Sequence, residues 1–122
     1  MQFARETLQR HAIRKYDAGS IAVADRSYEG SLAVSVEEIL EDWRCATIED
    51  LSAPLIERLV ALKPEVIILA TGDTVKFPAS SLLHSVMRAG IGVEVMNDGA
   101  AVRTFNVLLS ESRRAILALI RP

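Results

Sequence analysis

Hydrophobic and polar residues alternate in the first third of the chain. In S-I-A-V-A-D (20–25) and S-L-A-V-S-V (31–36), the large apolar residues occupy every second position. This period of two predicts antiparallel strands with one face on a core, arranged as a hairpin or meander. Trp43 follows these strands, and we expect it to cover one edge of the core.

The pattern changes at Thr47, where helical and strand segments begin to alternate. Thr47 can cap a first helical turn, Pro54 is tolerated only in such a turn, and Pro64 ends the helix that follows. The later order of strand, helix, strand, helix, strand favours parallel strands joined by right-handed crossovers. The predicted strands are 66–70, 91–96 and 115–120, and the predicted helices are about 78–89 and 97–111.

These patterns predict an α/β protein with a small, mainly parallel sheet flanked by helices and an N-terminal β-hairpin or meander. The length of 122 residues fits one domain, 1–122. Within it we expect a strand-rich half at about 11–45 and an α/β half at about 47–122.

Charge and cysteine usage narrow the class of protein. The formal net charge is -2 with acidic and basic residues interleaved, which argues against nucleic-acid binding. Cys45 is the sole cysteine, which suits a reducing compartment, and its apolar neighbours predict a buried structural thiol. No apolar run approaches the ~20 residues of a membrane-spanning helix, and residues 1–11 lack a secretory signal. We therefore expect a cytoplasmic protein with no integral membrane segment.

Two turns stand at the carboxyl ends of predicted parallel strands, where ligands of open α/β sheets tend to bind. They are Thr71-Gly72-Asp73 and Asn97-Asp98-Gly99. If their strands are neighbours, the turns lie side by side. Both glycines would let backbone amides approach a ligand, and the helix after Asp98 would offer free N–H groups.

The last predicted helix has two distinct sides at ~100° per residue. Its core side carries Ala101, Val102, Phe105, Leu108 and Leu109. Its other side carries Gly99, Arg103, Asn106, Ser110 and Arg113. Three interpretations of the Arg103 and Asn106 stripe stay open: a solvent-exposed face, a pocket for an anion or small molecule, and a docking stripe for a protein.

The common catalytic and cofactor patterns are missing. The chain has no phosphate-binding G-x-x-x-x-G-K-[ST] loop and no G-x-S-x-G elbow, and its two histidines have no Cys or carboxylate at ligand spacing. Asp73 and Asp98 would form a carboxylate pair if their turns touch, although both are also ordinary turn and cap residues. We expect no cofactor, no metal and no established catalytic residue.

Two segments are similar to a known family. K-P-E-V-I-I-L-A-T-G (63–72) and G-I-G-V-E-V-M-N-D-G-A-A-V-R-T-F-N-V-L (90–108) resemble the Mth domain family, which includes the mitochondrial respiratory complex I assembly factor 3. Y-E-G-S-L (28–32) and Trp43 add to the resemblance, which runs from about Ile13 to Ile120. The resemblance implies a three-layer α/β fold with an inserted β-hairpin and no established enzymatic activity.

Carried over by position, the family's recurring residues are Thr71, Gly72, Gly92, Glu94, Met96, Asp98, Gly99, Ala100, Ala101, Arg103, Thr104 and Asn106. Two positions depart from the family's pattern. Phe105 replaces a usual tyrosine, so no phenol hydroxyl is essential there, and Ala70 replaces a common glycine, which weakens the case for a phosphate cradle.

Function is therefore expected to lie in binding. The first hypothesis is a non-enzymatic binding or assembly protein for respiratory complex I (NADH:ubiquinone oxidoreductase), with complex I subunits or membrane insertion machinery as partners. The alternative is a small-molecule or anion site, perhaps enzymatic, at the two turns. A third hypothesis gives these residues only a role in maintaining the fold. An exposed strand edge or the hairpin would also allow pairing with a second copy of the chain.

Overall fold

The computed structural model describes residues 10–122, and the expectation of no secretory signal lies largely outside that range. The described chain opens with a three-stranded antiparallel meander in the order β1-β2-β3. Its strands are β1 (Ile13–Tyr16), β2 (Ser20–Val23) and β3 (Arg26–Glu29). Ile21 and Val23 are buried while their neighbours are more exposed, so the predicted N-terminal meander with one face on a core is confirmed for 20–25. The second segment of that prediction, 31–36, instead contributes a strand that is buried on both faces (Leu32–Val34) to the larger sheet.

A five-stranded sheet forms the centre of the molecule, in the order β5-β4-β8-β6-β7. Its strands are β4 (Leu32–Val34), β5 (Ile39–Leu40), β6 (Val66–Ala70), β7 (Gly92–Met96) and β8 (Ala115–Leu119). As predicted, β6 pairs in parallel with both β7 and β8. The antiparallel pairing of β4 with β8 makes the sheet mixed, and it joins the strand-rich half of the sequence to the α/β half.

The helices are α1 (Ala53–Val60), α2 (Ser80–Arg88) and α3 (Asp98–Ser110). Thr47 caps a separate 3-10 helix, Ile48–Asp50, where its backbone N–H donates to Asp50 Oδ2 at 3.2 Å. The helix predicted from Thr47 therefore begins only after Ser52, with Pro54 in its first turn as expected. Gly90, with φ +80, follows α2 in a conformation that favours glycine.

Two apolar cores lie on opposite faces of the five-stranded sheet, because side chains alternate along its strands. Ile68 and Leu117 face the core shared with the meander and α3, whereas Ile67 and Ile116 face the core shared with α1 and α2. The result is the three-layer α/β fold that the resemblance implied. Trp43 was expected at an edge, but it is fully buried in the second core, where its Nε1–H donates to Leu55 O at 3.0 Å.

Candidate functional site

The turns after β6 and β7 are directly hydrogen-bonded to each other. The Asp98 N–H donates to Gly72 O at 2.8 Å, and the Gly72 N–H donates to Asp98 Oδ1 at 2.9 Å. The Thr71 N–H also donates to Met96 O at 3.0 Å. Because β6 and β7 are neighbours, Thr71-Gly72-Asp73 and Asn97-Asp98-Gly99 lie side by side at the carboxyl end of the sheet.

Thr71 organises the loop that leaves β6. Its side chain is buried, and its Oγ1 donates to Thr74 O at 2.8 Å and accepts the Lys76 N–H at 3.1 Å. Gly72 has φ +92, a conformation that side chains with a Cβ rarely adopt. The loop is therefore fixed at Thr71 and turns sharply at Gly72, which leaves the exposed Asp73 at the surface.

Asn97 caps α3, since its Oδ1 accepts the Ala100 N–H at 2.9 Å. The capping role considered for Asp98 is therefore not the one observed. Asp98 uses Oδ1 for the Gly72 N–H, and its Oδ2 accepts from Arg121 Nη2 at 3.2 Å. With both oxygens engaged, Asp98 is an ion-paired carboxylate that ties the C-terminal segment after β8 to the junction of the two turns.

Arg121 is a residue that the sequence interpretation missed. Its side chain is only 5% exposed, and its Nε and Nη1 are buried without a hydrogen-bond partner among the described residues. Arg121 follows the apolar strand β8 with no motif around it, so no sequence pattern pointed to it. It reaches the site only because β8 lies beside β6 in the sheet.

Five of the seven predicted binding residues line one cleft of about 340 Å³, which we call the Tyr16–Arg103 cleft. The five are Gly72, Asp73, Asp98, Gly99 and Arg103. The turn between β1 and β2 supplies its opposite side through Tyr16, Asp17 and Ala18, which sequence reasoning had not placed there. A Cβ built on Gly99 would lie 2.6 Å from the Tyr16 hydroxyl, so this glycine permits a close approach of the two elements.

Arg103 is the cationic side chain of this cleft. It is exposed and forms no hydrogen bond or ion pair with any described residue. The exposed Asp17 lies on the opposite side, where hydrogen bonds from the N–H groups of Gly19 and Ser20 lower the pKa of its carboxyl group. The cleft thus offers one unpaired guanidinium opposite a fixed anionic group.

A second cleft of about 460 Å³ lies against the same junction, and we call it the Lys76–Arg121 cleft. It shares Thr71, Gly72, Asp73 and Asp98 with the predicted set. Its other walls include residues 46–49, Lys76 and Arg121. Each cleft is therefore built on the predicted turns and completed by residues from distant parts of the chain.

Asn106 does not line either cleft. Its Oδ1 accepts the Ile13 N–H at 2.8 Å, and its Nδ2 donates to Ile13 O at 2.9 Å. The structure therefore separates Asn106 from Arg103: its amide fastens α3 to the backbone of β1. Arg113 was predicted on the same side of the helix as Arg103 and Asn106. It lies beyond the end of α3, and its Nε pairs with Glu65 Oε1 at 3.3 Å.

The lone cysteine has a structural role, and the residue types that bind metals are not clustered in the described part of the chain. Cys45 is buried, its Sγ donates to Thr47 O at 3.3 Å, and burial raises the pKa of its thiol to about 11. This agrees with the structural role predicted for it. Across residues 10–122, no three His, Cys, Asp or Glu side chains are grouped so that they could hold a metal ion.

Comparison with known proteins identifies the family. Residues 13–120 match the family described as "Protein of unknown function (DUF498/DUF598)". The chain belongs to this family. The match covers the meander, the five-stranded sheet and the Tyr16–Arg103 cleft, and it ends one residue before Arg121. A Xanthomonas campestris protein whose structure was determined by NMR is 36% identical, with a TM-score of 0.81, and the alignment covers 89% of this chain and 83% of that one.

Curated relatives carry two kinds of name. The NADH dehydrogenase [ubiquinone] 1 alpha subcomplex assembly factor 3 of Danio rerio is 32% identical over 112 residues, which are 90% of this chain and 64% of that protein. The 13 kDa major membrane protein of Francisella tularensis is 24% identical, covering 88% of each chain. The resemblance to the assembly-factor family is thus confirmed. Among the described residues, no helix is long and apolar enough to cross a membrane.

Proposed function

We propose that the chain is a protein-binding assembly factor for an NADH:ubiquinone oxidoreductase, and that it holds a subunit of that complex at the Tyr16–Arg103 cleft. The observation that carries the proposal is the exposed Arg103 guanidinium, which has no partner among the described residues. The named function of the Danio rerio relative supports the choice of complex. Because this chain spans less than two thirds of that relative, the activity of the longer protein is part of the proposal.

The residue types at the cleft favour a protein partner. Tyr16 is 43% exposed and stands over Gly99, beside Arg103. Tyrosine and arginine are the types that most often dominate the binding energy of protein interfaces. The planar guanidinium of Arg103 suits a carboxylate of the partner, which it can hold with two parallel hydrogen bonds.

The neighbouring carboxylates restrict which charged residues a partner can place in the cleft. Asp17 and Asp73 line the same cleft, so a purely acidic segment would be repelled beside them. A segment with one carboxylate flanked by a basic or amide side chain can pair with Arg103 and also with the carboxylates of Asp17 and Asp73. We propose that such a segment of a complex I subunit, or of the machinery that inserts it into the membrane, is the ligand, and that it binds on the cytoplasmic side.

A complementation experiment tests the proposal. In a host that has complex I, the gene is deleted and replaced by wild type, Arg103→Ala or Arg88→Ala. Arg88 is the matched control, because it is an exposed arginine on α2 that does not line the cleft. We expect assembled complex I on native gels to fall on deletion and to return with wild type and Arg88→Ala but not with Arg103→Ala.

The same strains provide the contrary outcomes. If deletion leaves complex I assembly and NADH oxidation unchanged, the complex I proposal fails. If a folded Arg103→Ala protein restores assembly fully, the cleft is not the docking site. Affinity capture with the wild type and both variants then shows whether a complex I subunit is bound, with circular dichroism as the check on folding.

The second candidate function is a small-molecule or anion site in the same cleft. It is supported by the two turns, which together line a cleft of about 340 Å³. Gly99 in this cleft stands at the N-terminal end of α3. Cavities of roughly 300–1,000 Å³ hold small ligands in many proteins. A thermal-shift screen of metabolites tests it: a hit that stabilises the wild type and Arg88→Ala but not Arg103→Ala supports it, and the absence of any hit counts against it.

A further inference from the structure

We infer that Arg121 and Lys76 form a binding site for a carboxylate ligand in the Lys76–Arg121 cleft, which adjoins the docking site proposed at Arg103 but uses other cationic side chains. The inference begins with two side-chain donors of Arg121 that have no acceptor among the described residues. A guanidinium is always protonated and has five N–H donors. Arg121 is 5% exposed, yet its only partner among the described side chains is Asp98, through Nη2.

The two remaining nitrogens of Arg121 are unusual for a folded protein. Nε and Nη1 are shielded from solvent and have no hydrogen-bond partner within residues 10–122. Buried polar groups nearly always have a partner, and an unpaired donor of a charged group is especially unfavourable. Asp98 cannot supply the missing acceptor readily, since its Oδ1 already accepts the Gly72 N–H at 2.9 Å. An additional acceptor is therefore favoured at this position.

The cleft gives that acceptor a route from solvent. Arg121 lines the cleft, and so does the exposed Lys76, whose backbone is fixed by its hydrogen bond to Thr71 Oγ1 at 3.1 Å. Lys76 is exposed and Arg121 is buried, so the proposed site requires the Arg121 guanidinium to turn toward the cleft until Nε or Nη1 reaches the anion.

The acidic residues of the cleft restrict the kind of anion. Glu49 and Asp73 are exposed and line the same cleft, and Asp98 is already paired with Arg121. These three carboxylates disfavour a multiply charged phosphate, which gains most from a purely cationic site. A single carboxylate matches the fork of the arginine with the smallest repulsion. The volume of about 460 Å³ accommodates a small organic acid.

Nuclear magnetic resonance of the full chain tests the site directly. The Nε–H signal of Arg121 is assigned in the wild type by through-bond correlation to its own backbone, so no Arg121 variant has to fold. Sodium acetate is titrated against sodium chloride at equal ionic strength. We expect acetate to move this signal along a saturating curve and chloride to leave it nearly unchanged.

Three variants locate the binding. Lys76→Ala should weaken acetate binding by about threefold, because an exposed cation contributes modestly. Arg88→Ala, on α2, and Arg103→Ala, in the other cleft, should leave the acetate affinity unchanged. A shift that does not saturate, that chloride reproduces, or that survives Lys76→Ala unchanged overturns the inference. Loss of binding in Arg103→Ala overturns it too and moves the anion to the Tyr16–Arg103 cleft.

Discussion

Gly99 is the single residue that sets how closely the meander approaches α3. A Cβ at this position would lie 2.6 Å from the Tyr16 hydroxyl and 3.4 Å from Arg103 Nη1, whereas its next contact, with Tyr16 Cζ, is an ordinary 3.6 Å. The two closest atoms are the far ends of side chains, and Tyr16 is 43% exposed. A methyl group would therefore displace side chains of the cleft and leave the backbone in place.

We predict that Gly99→Ala folds normally but binds the partner more weakly. Alanine is the better helix former, so the free energy of unfolding should change by less than about 1 kcal/mol. The displaced Tyr16 ring and Arg103 guanidinium should lower affinity for the partner by roughly tenfold, which about 1.4 kcal/mol of lost contact would produce. Calorimetric titration with the captured subunit, together with urea denaturation, measures both quantities.

A double-mutant cycle isolates the cause. Tyr16→Phe removes the hydroxyl that lies 2.6 Å from the added Cβ and keeps the ring. In that background Gly99→Ala should weaken binding much less than in the wild type. Equal losses in both backgrounds would show that Gly99 acts through something other than Tyr16.

The sequence indicated the glycine turns but not what faces them. Gly72 and Gly99 stand after runs whose patterns predict neighbouring strands, so local signals were enough to bring the two turns together. Tyr16 and Arg121 come from the opposite ends of the chain. Their places depend on the meander packing on α3 and on β8 pairing with β6, which no local period encodes.

At the scale of elements, one side chain hydrogen-bonds α3 to the meander, in addition to the apolar core that the two elements share. Asn106 accepts the Ile13 N–H at 2.8 Å and donates to Ile13 O at 2.9 Å, which satisfies both backbone groups of a residue in β1. A helical wheel distinguishes apolar from polar positions, and on that basis it placed Asn106 beside Arg103 on an outer stripe. The wheel cannot show that β1, whose Ile13 lies 93 residues before Asn106 in the chain, packs against that side of α3.

Asn106→Ala should destabilise the protein by about 1–3 kcal/mol, because it leaves the N–H and C=O of Ile13 without their partner. Val107→Ala is the control, since Val107 is the next residue of α3 and is 54% exposed. Urea denaturation followed by circular dichroism measures both. An unfolding midpoint for Asn106→Ala that matches the Val107→Ala midpoint would contradict the bridging role.

The ion pair between Asp98 and Arg121 joins three elements: the turn after β6, the start of α3 and the segment after β8. Asp98→Ala should lower the free energy of unfolding by about 3 kcal/mol, because it leaves a buried guanidinium unpaired. Replacing both partners, as Asp98→Ala with Arg121→Met, should recover part of that loss, since no charge is then buried. Thermal and urea unfolding of the single and double variants check this, and a double variant less stable than Asp98→Ala would refute the explanation.

At the scale of the whole molecule, the five-stranded sheet couples two separate cores. Strand alternation predicted buried faces, and the continuous apolar run of β6 predicted cover on both sides, which the structure confirms. The mixed order of the sheet was not predictable in the same way. The pairing of β4 with β8 links Leu32 to Leu119, and β-pairing between such distant segments depends on the packing of the complete chain.

This arrangement predicts that the layers unfold together. Trp43, the sole tryptophan, is fully buried in the core of α1 and α2, whereas Phe105, on the inner side of α3, is fully buried in the opposite core. Phe105→Ala removes a large ring from the core that Trp43 does not share, at a loss of about 3–5 kcal/mol. Because β6 and β8 contribute side chains to both cores, we expect the two cores to unfold together. Trp43 fluorescence and far-ultraviolet circular dichroism should then shift to the same lower urea midpoint. A fluorescence transition that stays at the wild-type midpoint, while circular dichroism shows an earlier step, would instead mean that the two faces of the sheet unfold independently.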